Sequence, residues 1–241
     1  MKIQTAKLSL IILLIVSNFV EAQYNEHQLG VSVGYNYTNT AKLFLFPNSL
    51  DPILRARHSK LNDIWHPSLE ARYRISDFLA VGLNIEYLEK TNRNTNFVIV
   101  GPAGSILTKI EEGFSLIPVE LSAYYFLPFS TDEFKFHMGG GAGIYFGRHI
   151  RKFGGVSSKT KRREFSYGIH VALGMDYLIN SLVSVRGEMR FRDPEFELLS
   201  KYNKENVKIN GALYKLSNDG FESKTNVDGS TFTLSIVFHL L

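Results

Sequence analysis

The sequence predicts an all-β fold: an eight-stranded antiparallel transmembrane up-and-down β-barrel with short periplasmic turns and four long extracellular loops. Three observations carry this. Eight segments alternate with period two, which places successive side chains on opposite faces of a sheet. In each, one face is a nearly unbroken apolar stripe, while the other holds carboxylates, guanidinium groups, hydroxyls and glycines. That is the pattern of a sheet with lipid outside and a polar interior. The links between segments alternate long and short, and an even strand count returns both ends to the same side.

In chain order, LGVSVGYNY (Leu29 to Tyr37) sets Leu29, Val31, Val33 and Tyr35 against Gly30, Ser32, Gly34 and Asn36. After an irregular stretch from Thr38 to Pro67, Leu69, Ala71, Tyr73 and Ile75 oppose Glu70, Arg72 and Arg74. The short turn Ser76-Asp77 leads to Leu79, Val81, Leu83, Ile85 and Tyr87 against Ala80, Gly82, Asn84 and Glu86. A second irregular stretch, Thr91 to Gly113, precedes Val119, Leu121, Ala123 and Tyr125 against Glu120, Ser122 and Tyr124. Across the turn LPFSTDE, Phe136, Met138, Ala142, Ile144 and Phe146 oppose His137, Gly139, Gly141 and Gly143. A basic segment follows. Then Tyr167 to Tyr177 sets its odd-numbered residues against Gly168, His170, Ala172, Gly174 and Asp176. After Asn180-Ser181, Val183, Val185, Met189 and Phe191 oppose Ser184, Arg186, Glu188 and Arg190. A polar stretch, Arg192 to Asp228, contains VKINGALYKL, which reads as a hairpin, and the last strand runs from Thr231 to Leu240.

A soluble barrel or sandwich also alternates. The polar face here is rich in glycine and poor in long lysines, which suits a crowded interior better than a solvated surface. Tyr35, Tyr73, Tyr87, Tyr125, Phe146, Tyr177 and Phe191 lie towards strand ends, where interfacial aromatic girdles sit.

Residues 1–22 read as a cleaved signal peptide: Lys2 and Lys7, an apolar run from Leu8 to Val20, and the small-residue end Val20-Glu21-Ala22. The barrel domain then covers 23–241. The chain has no cysteine, so neither a disulfide framework nor a lipidated cysteine holds it. Beyond the leader no apolar run approaches the roughly 20 residues of a membrane helix.

The blocks LEARYRISDFLAVGLNIEYLEK, EEGFSLIPVELSAYYF, FKFHMGGGAGIYFG and FSYGIHVALGMDYLINSLVSVRGEMRF resemble the PorT-like outer-membrane β-barrel family. The stretch around Pro118 is the most specific, and the glycine-rich strand after it comes next. The resemblance spans Leu29 to Leu241 and implies residence in the outer membrane of a Gram-negative-type bacterium, with insertion by the barrel-assembly machinery. Family members usually end in an aromatic residue; here Phe238 is followed by His239-Leu240-Leu241. One role known in the family is assistance to protein secretion, but fold does not fix function.

The inward face predicts a charge network of Glu70, Arg72, Arg74, Glu86, Glu120, Asp176, Arg186, Glu188 and Arg190, joined by His137, His170 and His239. An eight-stranded lumen is only wide enough for side chains, so the network reads as a structural plug. Seven cations, Arg148, Arg151, Lys152, Lys159, Lys161, Arg162 and Arg163, precede the first acid, Glu164, in the third long loop. They read equally as a solvated loop with Gly154-Gly155 at its tip or as a contact for lipopolysaccharide phosphates. No nucleic-acid partner is expected of a loop in that place. His170 and Asp176, six apart on one strand, stand about 20 Å apart and make no dyad, and the histidines show no metal-ligand spacing. The expectation is therefore a non-enzymatic barrel without cofactor or metal, with a structural or surface-interaction role. The alternative is a component assisting transport or protein secretion across the outer membrane, working with an envelope or secretion partner.

Overall fold

The computed structural model describes residues 28–101, 104–163, 165–216, 219–227 and 229–240. The expected leader over 1–22 lies outside the described residues. Among the described residues there are fourteen strands, not eight: β1 (Leu29–Phe44), β2 (His58–Arg74), β3 (Leu79–Glu86), β4 (Leu88–Gly101), β5 (Gly104–Phe126), β6 (Phe134–Phe153) and β7 (Val156–Arg163), then β8 (Ser166–Asn180), β9 (Val183–Arg192), β10 (Glu195–Tyr202), β11 (Asn206–Ile209), β12 (Ala212–Lys215), β13 (Phe221–Asn226) and β14 (Gly229–Leu240). One short helix, α1 (Pro52–Ala56), sits between β1 and β2, its N-terminus capped by the Asp51 carboxylate. Twelve strands share one sheet, and β11 and β12 form a separate hairpin.

Hydrogen-bonded neighbours trace a closed path round the lower part of the large sheet. It runs β1, β2, β3, β5, β6, β8, β9, β14 and back to β1, antiparallel at every step. Closure leaves no free edge at this level. The lower links are short: Asn180 Oδ1, for example, accepts from the backbone N–H groups of Leu182 and Val183 at 2.9 Å each. The side chains facing away from the ring are apolar. Ile169 and Leu234 are 79% and 65% exposed, and Val33, Leu69, Leu121, Val171 and Ile236 are likewise uncovered.

Above the ring, the stretches expected to be irregular (38–67, 91–113, 148–163 and 192–228) are largely paired strand. β1 and β2 run on together to Phe44 and His58. β4 pairs with the upper half of β5, and β6 turns at Gly154-Gly155 into β7, both glycines having positive φ. β7 pairs with β10, β10 with β13, and β13 with the top of β1. The expected VKINGALYKL hairpin is present as β11 and β12, turning at Asn210 (φ 50°) and Gly211 (φ 85°).

The polarity of the alternation inverts between the two tiers. Low in the molecule, charged residues face in and apolar residues face out. High in the molecule, Leu43, Leu61, Leu88, Phe114, Leu116, Phe196 and Leu198 form a buried core, while Lys60, Lys109 and Lys201 face out. In β2 the inward set passes from His66 and Ile64 to Leu61 across Asp63, a residue of positive φ (56°). The partner β1 changes at the same level, from Thr38 to Ala41 and Leu43.

Candidate functional site

The lower lumen is filled by a network that the alternating strands deliver from five directions. β2 supplies Glu70 and Arg72, β3 Asn84 and Glu86, β5 Glu120 and Tyr124, β8 Asp176, and β9 Arg186, Glu188, Arg190 and Arg192. All are buried. Arg186 holds Asp176 with two bonds, Nε to Oδ1 at 2.6 Å and Nη2 to Oδ2 at 2.8 Å, and reaches Glu70 Oε2 with Nη1 at 2.8 Å. Arg72 donates to Glu188, packs its guanidinium 3.5 Å from the centre of the Tyr124 ring, and lies 2.9 Å from Glu70 Oε2. Arg190 spans the middle, with Nη1 on Glu120 at 2.7 Å and Nη2 on Glu188 at 2.7 Å. Arg192 tops the stack, donating to Glu120 at 3.0 Å and to Glu86.

Five carboxylates thus meet four arginines, and neutral donors supply the remainder. Tyr124 donates to Glu70 at 2.7 Å, Tyr145 to Glu120 at 3.0 Å, and Asn84 to Glu86 at 2.8 Å. Every one of the five carboxylates has a partner on both oxygens. Such pairing is what makes buried charge tolerable, because an unpartnered ion in a low-dielectric space costs several kcal/mol, roughly 3–5 when one partner is removed. Little space remains. A cavity of about 10 Å³ lies between the network and the wall made by β1 and β14, and one of about 20 Å³ lies beneath it. Each has room for roughly one water.

Eight of the nine expected network residues meet here: Glu70, Arg72, Glu86, Glu120, Asp176, Arg186, Glu188 and Arg190. Arg74 does not. It closes β2 at the lower mouth and donates to Ser76 O at 3.3 Å and Asp77 Oδ1 at 3.1 Å, because the strand ends there and its side chain meets the turn. Its place is taken by Arg192, one alternation step beyond Arg190. Tyr145, the other omission, carries a phenol into the lumen from the glycine-rich strand.

The inward histidines are all buried. His137 Nε2 lies 3.0 Å from Arg72 Nη1 and 3.2 Å from Glu188 Oε2. His239 meets Ser184 Oγ at 2.9 Å, and His66 meets Thr38 Oγ1 at 3.0 Å. Ser122 Oγ and His170 Nε2 are 2.7 Å apart, a distance suited to a nucleophile and its base. Among the described residues no third group orients the ring, since His170 Nδ1 has no hydrogen-bond partner there. Among the described residues no three His, Asp or Glu side chains converge as a metal site would need.

The basic run at 148–163 is not a loose loop but the upper part of β6 and β7. Arg148, Lys152, Lys159, Lys161 and Arg162 are exposed, and Arg163 pairs through its backbone with Leu198. Arg151 is excluded from any surface cluster, since the alternation of β6 turns it inward. There it donates from Nε to Glu112 Oε1 at 2.7 Å, beside His149 Nε2 at 3.1 Å from the same oxygen. Burial alone would raise the Glu112 carboxyl, but the His149 hydrogen bond and the Arg151 charge outweigh it and hold the group below its ordinary value. Burial lowers the His149 imidazole, and the Glu112 bond only partly opposes this.

Over residues 8–239 the sequence matches the family described as outer membrane protein beta-barrel domain. Among solved structures, the outer membrane protein OprG from Pseudomonas aeruginosa superposes with a TM-score of 0.59 at 11% identity, covering 92% of this chain and 99% of that one. Neisserial surface protein A gives 0.47 at 14% identity, covering 88% of this chain and 97% of that one. Ail, the attachment invasion locus protein of Yersinia pestis, gives 0.46 at 11%, covering 89% and 99%. At these identities the likeness is one of fold, and the OprG superposition carries it. No curated protein sequence matches the chain. With a match over nearly its whole length, the chain belongs to the outer membrane protein β-barrel domain family.

Proposed function

We propose that the eight-strand circuit spans the outer membrane as a closed barrel and that the protein serves a structural or surface-interaction role without turnover. The observation that carries this reading is the lumen network, in which all five carboxylates are paired on both oxygens and beside which lie cavities of about 10 and 20 Å³. The aromatic rings support the placement. Tyr73, Phe78, Tyr125 and Tyr177 mark one level, and Tyr35, Trp65, Tyr167 and Phe232 the other. On β8, Tyr167 and Tyr177 are ten residues apart, about 25 Å along the membrane normal for a strand tilted near 40°. The short turns then face the periplasm, and the upper tier stands outside the cell.

The PorT-like blocks support a finer membership in that group, and with it insertion by the barrel-assembly machinery. The leader at 1–22 would be removed on export, which N-terminal sequencing of the envelope protein tests. Liposome swelling tests the closed lumen: vesicles carrying the protein should swell in small sugars no faster than empty ones. The second reading, assistance to transport or secretion, is favoured by the folded upper tier, a surface large enough to meet an envelope partner. A deletion strain that loses secreted protein while its membrane stays intact would support that reading over the first.

A further inference from the structure

The upper tier contains a cavity of about 510 Å³ that the lumen network does not reach. Its size falls within the range of roughly 300–1,000 Å³ typical of small-molecule sites. Its wall is aromatic: Phe97 from β4, Tyr202 from β10 and Phe221 from β13, with Phe46 at the rim. The Tyr202 and Phe221 rings lie 4.9 Å apart. Arg151 forms part of the floor, its guanidinium carbon 4.4 Å from the Phe221 ring centre and 4.9 Å from that of Phe97. Glu112 and the Tyr202 hydroxyl, the latter at 3.2 Å, fix that guanidinium in place.

The cavity lies where the sheet is open. β3 and β4 are nearly continuous, but above Tyr87 the chain leaves β2 and stays paired with β5 alone. Tyr87 N–H reaches Pro67 O at 3.4 Å and Lys90 Nζ reaches Asp63 O at 2.9 Å. Higher up, no ladder joins the two strands, and both edges line the cavity. Among the described residues that line it there is no Asp or Glu, whereas Arg57 stands exposed at the mouth beside the end of α1. The charge of Arg151 is already matched by Glu112, so Arg57 is the cation available to an incoming head group.

We propose that this cavity is a binding site for a small aromatic carboxylate, with its ring body against Phe97, Tyr202 and Phe221 and its acid group at Arg57. Aromatic faces accept flat apolar bodies, and an arginine fork suits a carboxylate. A cationic analogue would meet Arg57, with no carboxylate among the described lining residues to hold it.

Equilibrium dialysis of naphthoate against the protein in nanodiscs, with empty nanodiscs as the blank, tests this. We expect saturable uptake of one naphthoate per protein, and binding of naphthylmethylamine at least tenfold weaker. Arg57→Glu should weaken naphthoate at least tenfold. Thr95→Trp, which fills the cavity from β4, should abolish its binding while the barrel keeps its heat-modifiable migration on gels. Should Thr95→Trp fail to fold, Arg57→Glu, an exposed change, decides the matter. Uptake no greater than by empty nanodiscs, an amine that binds as well as the acid, or unchanged binding by either folded variant would overturn the proposal.

Discussion

Asp176 and Arg186 stand directly opposite one another on β8 and β9, and the guanidinium closes on the carboxylate with parallel bonds of 2.6 and 2.8 Å. The cross-strand register that pairs these backbones also sets the charge pair. Sheet closure and lumen filling are therefore one event: a slip of one residue would turn Arg186 and Asp176 towards the apolar outer face.

The pair is unequal in what it supports. Asp176 serves Arg186, whereas Arg186 also holds Glu70 at 2.8 Å. Arg186→Leu should therefore destabilise the barrel by about 3–5 kcal/mol, and Asp176→Asn, which keeps an acceptor at that place, by clearly less. Urea unfolding in lipid vesicles measures both. Equal losses would contradict the assigned contacts.

Backbone approach limits the glycine-rich strand. A Cβ on Gly141 would stand 1.9 Å from Leu121 O, whereas one on Gly187 would meet nothing within 4 Å. Gly141→Ala should cost about 1–3 kcal/mol or block folding, and Gly187→Ala should leave the unfolding midpoint unchanged. A neutral Gly141→Ala would mean that β5 and β6 pair more loosely than described.

Acid should loosen the upper tier first. His149 is held below its ordinary 6.5 and Glu112 below its ordinary 4.5. Between each folded value and the unfolded one, the unfolded chain binds more protons, so the stability these groups contribute is complete above pH 6.5 and declines as pH falls. Hydrogen exchange of amides in β4, β7 and upper β5 should quicken as pH falls below 6.5, after correction for intrinsic rates. In His149→Phe the part of the decline that begins near 6.5 should disappear. Wild-type protection that rises on acidification would contradict this.

The exposed cations of β6 and β7 supply a surface prediction. Lys152, Lys159, Lys161 and Arg162 face outward above the barrel, and each cation near an anionic surface is worth about 1 kcal/mol. Replacing the four with Ser should weaken association with lipopolysaccharide in asymmetric membranes, by about fivefold for each charge that touches it, and high salt should erase the difference. Unchanged association would assign the face to solvent alone.

The lower ring was legible because lipid demands a long apolar face, and residues such as Leu121, Ile169 and Leu234 print that demand as strict alternation. Eight of nine network residues followed from the same period. Arg192 shares the parity of Arg186, Glu188 and Arg190 but opens the polar stretch after Phe191, where the apolar alternation that marks the strand stops. Arg74 shares the parity but stands at the end of β2, and parity does not say where a strand leaves the lumen for a turn. The upper strands were illegible for a different reason. Their outward residues are polar, so β4 and β7 show TNRNTN and SSKTKRR where a membrane strand would show an apolar stripe, and β10, which pairs with β7, is not its neighbour in the chain. The same inversion hid Arg151: within a basic run, only pairing with β5 reveals that it turns towards Glu112.

Planar-bilayer recording of the purified protein tests the central claim most directly. A lumen closed by Arg72, Arg186, Arg190 and Arg192 on their five carboxylates should give a silent bilayer, and the combined change Glu120→Ala, Arg190→Ala and Arg192→Ala should introduce resolvable steps. Stable, reproducible conductance steps from the unaltered protein would contradict the closed interior.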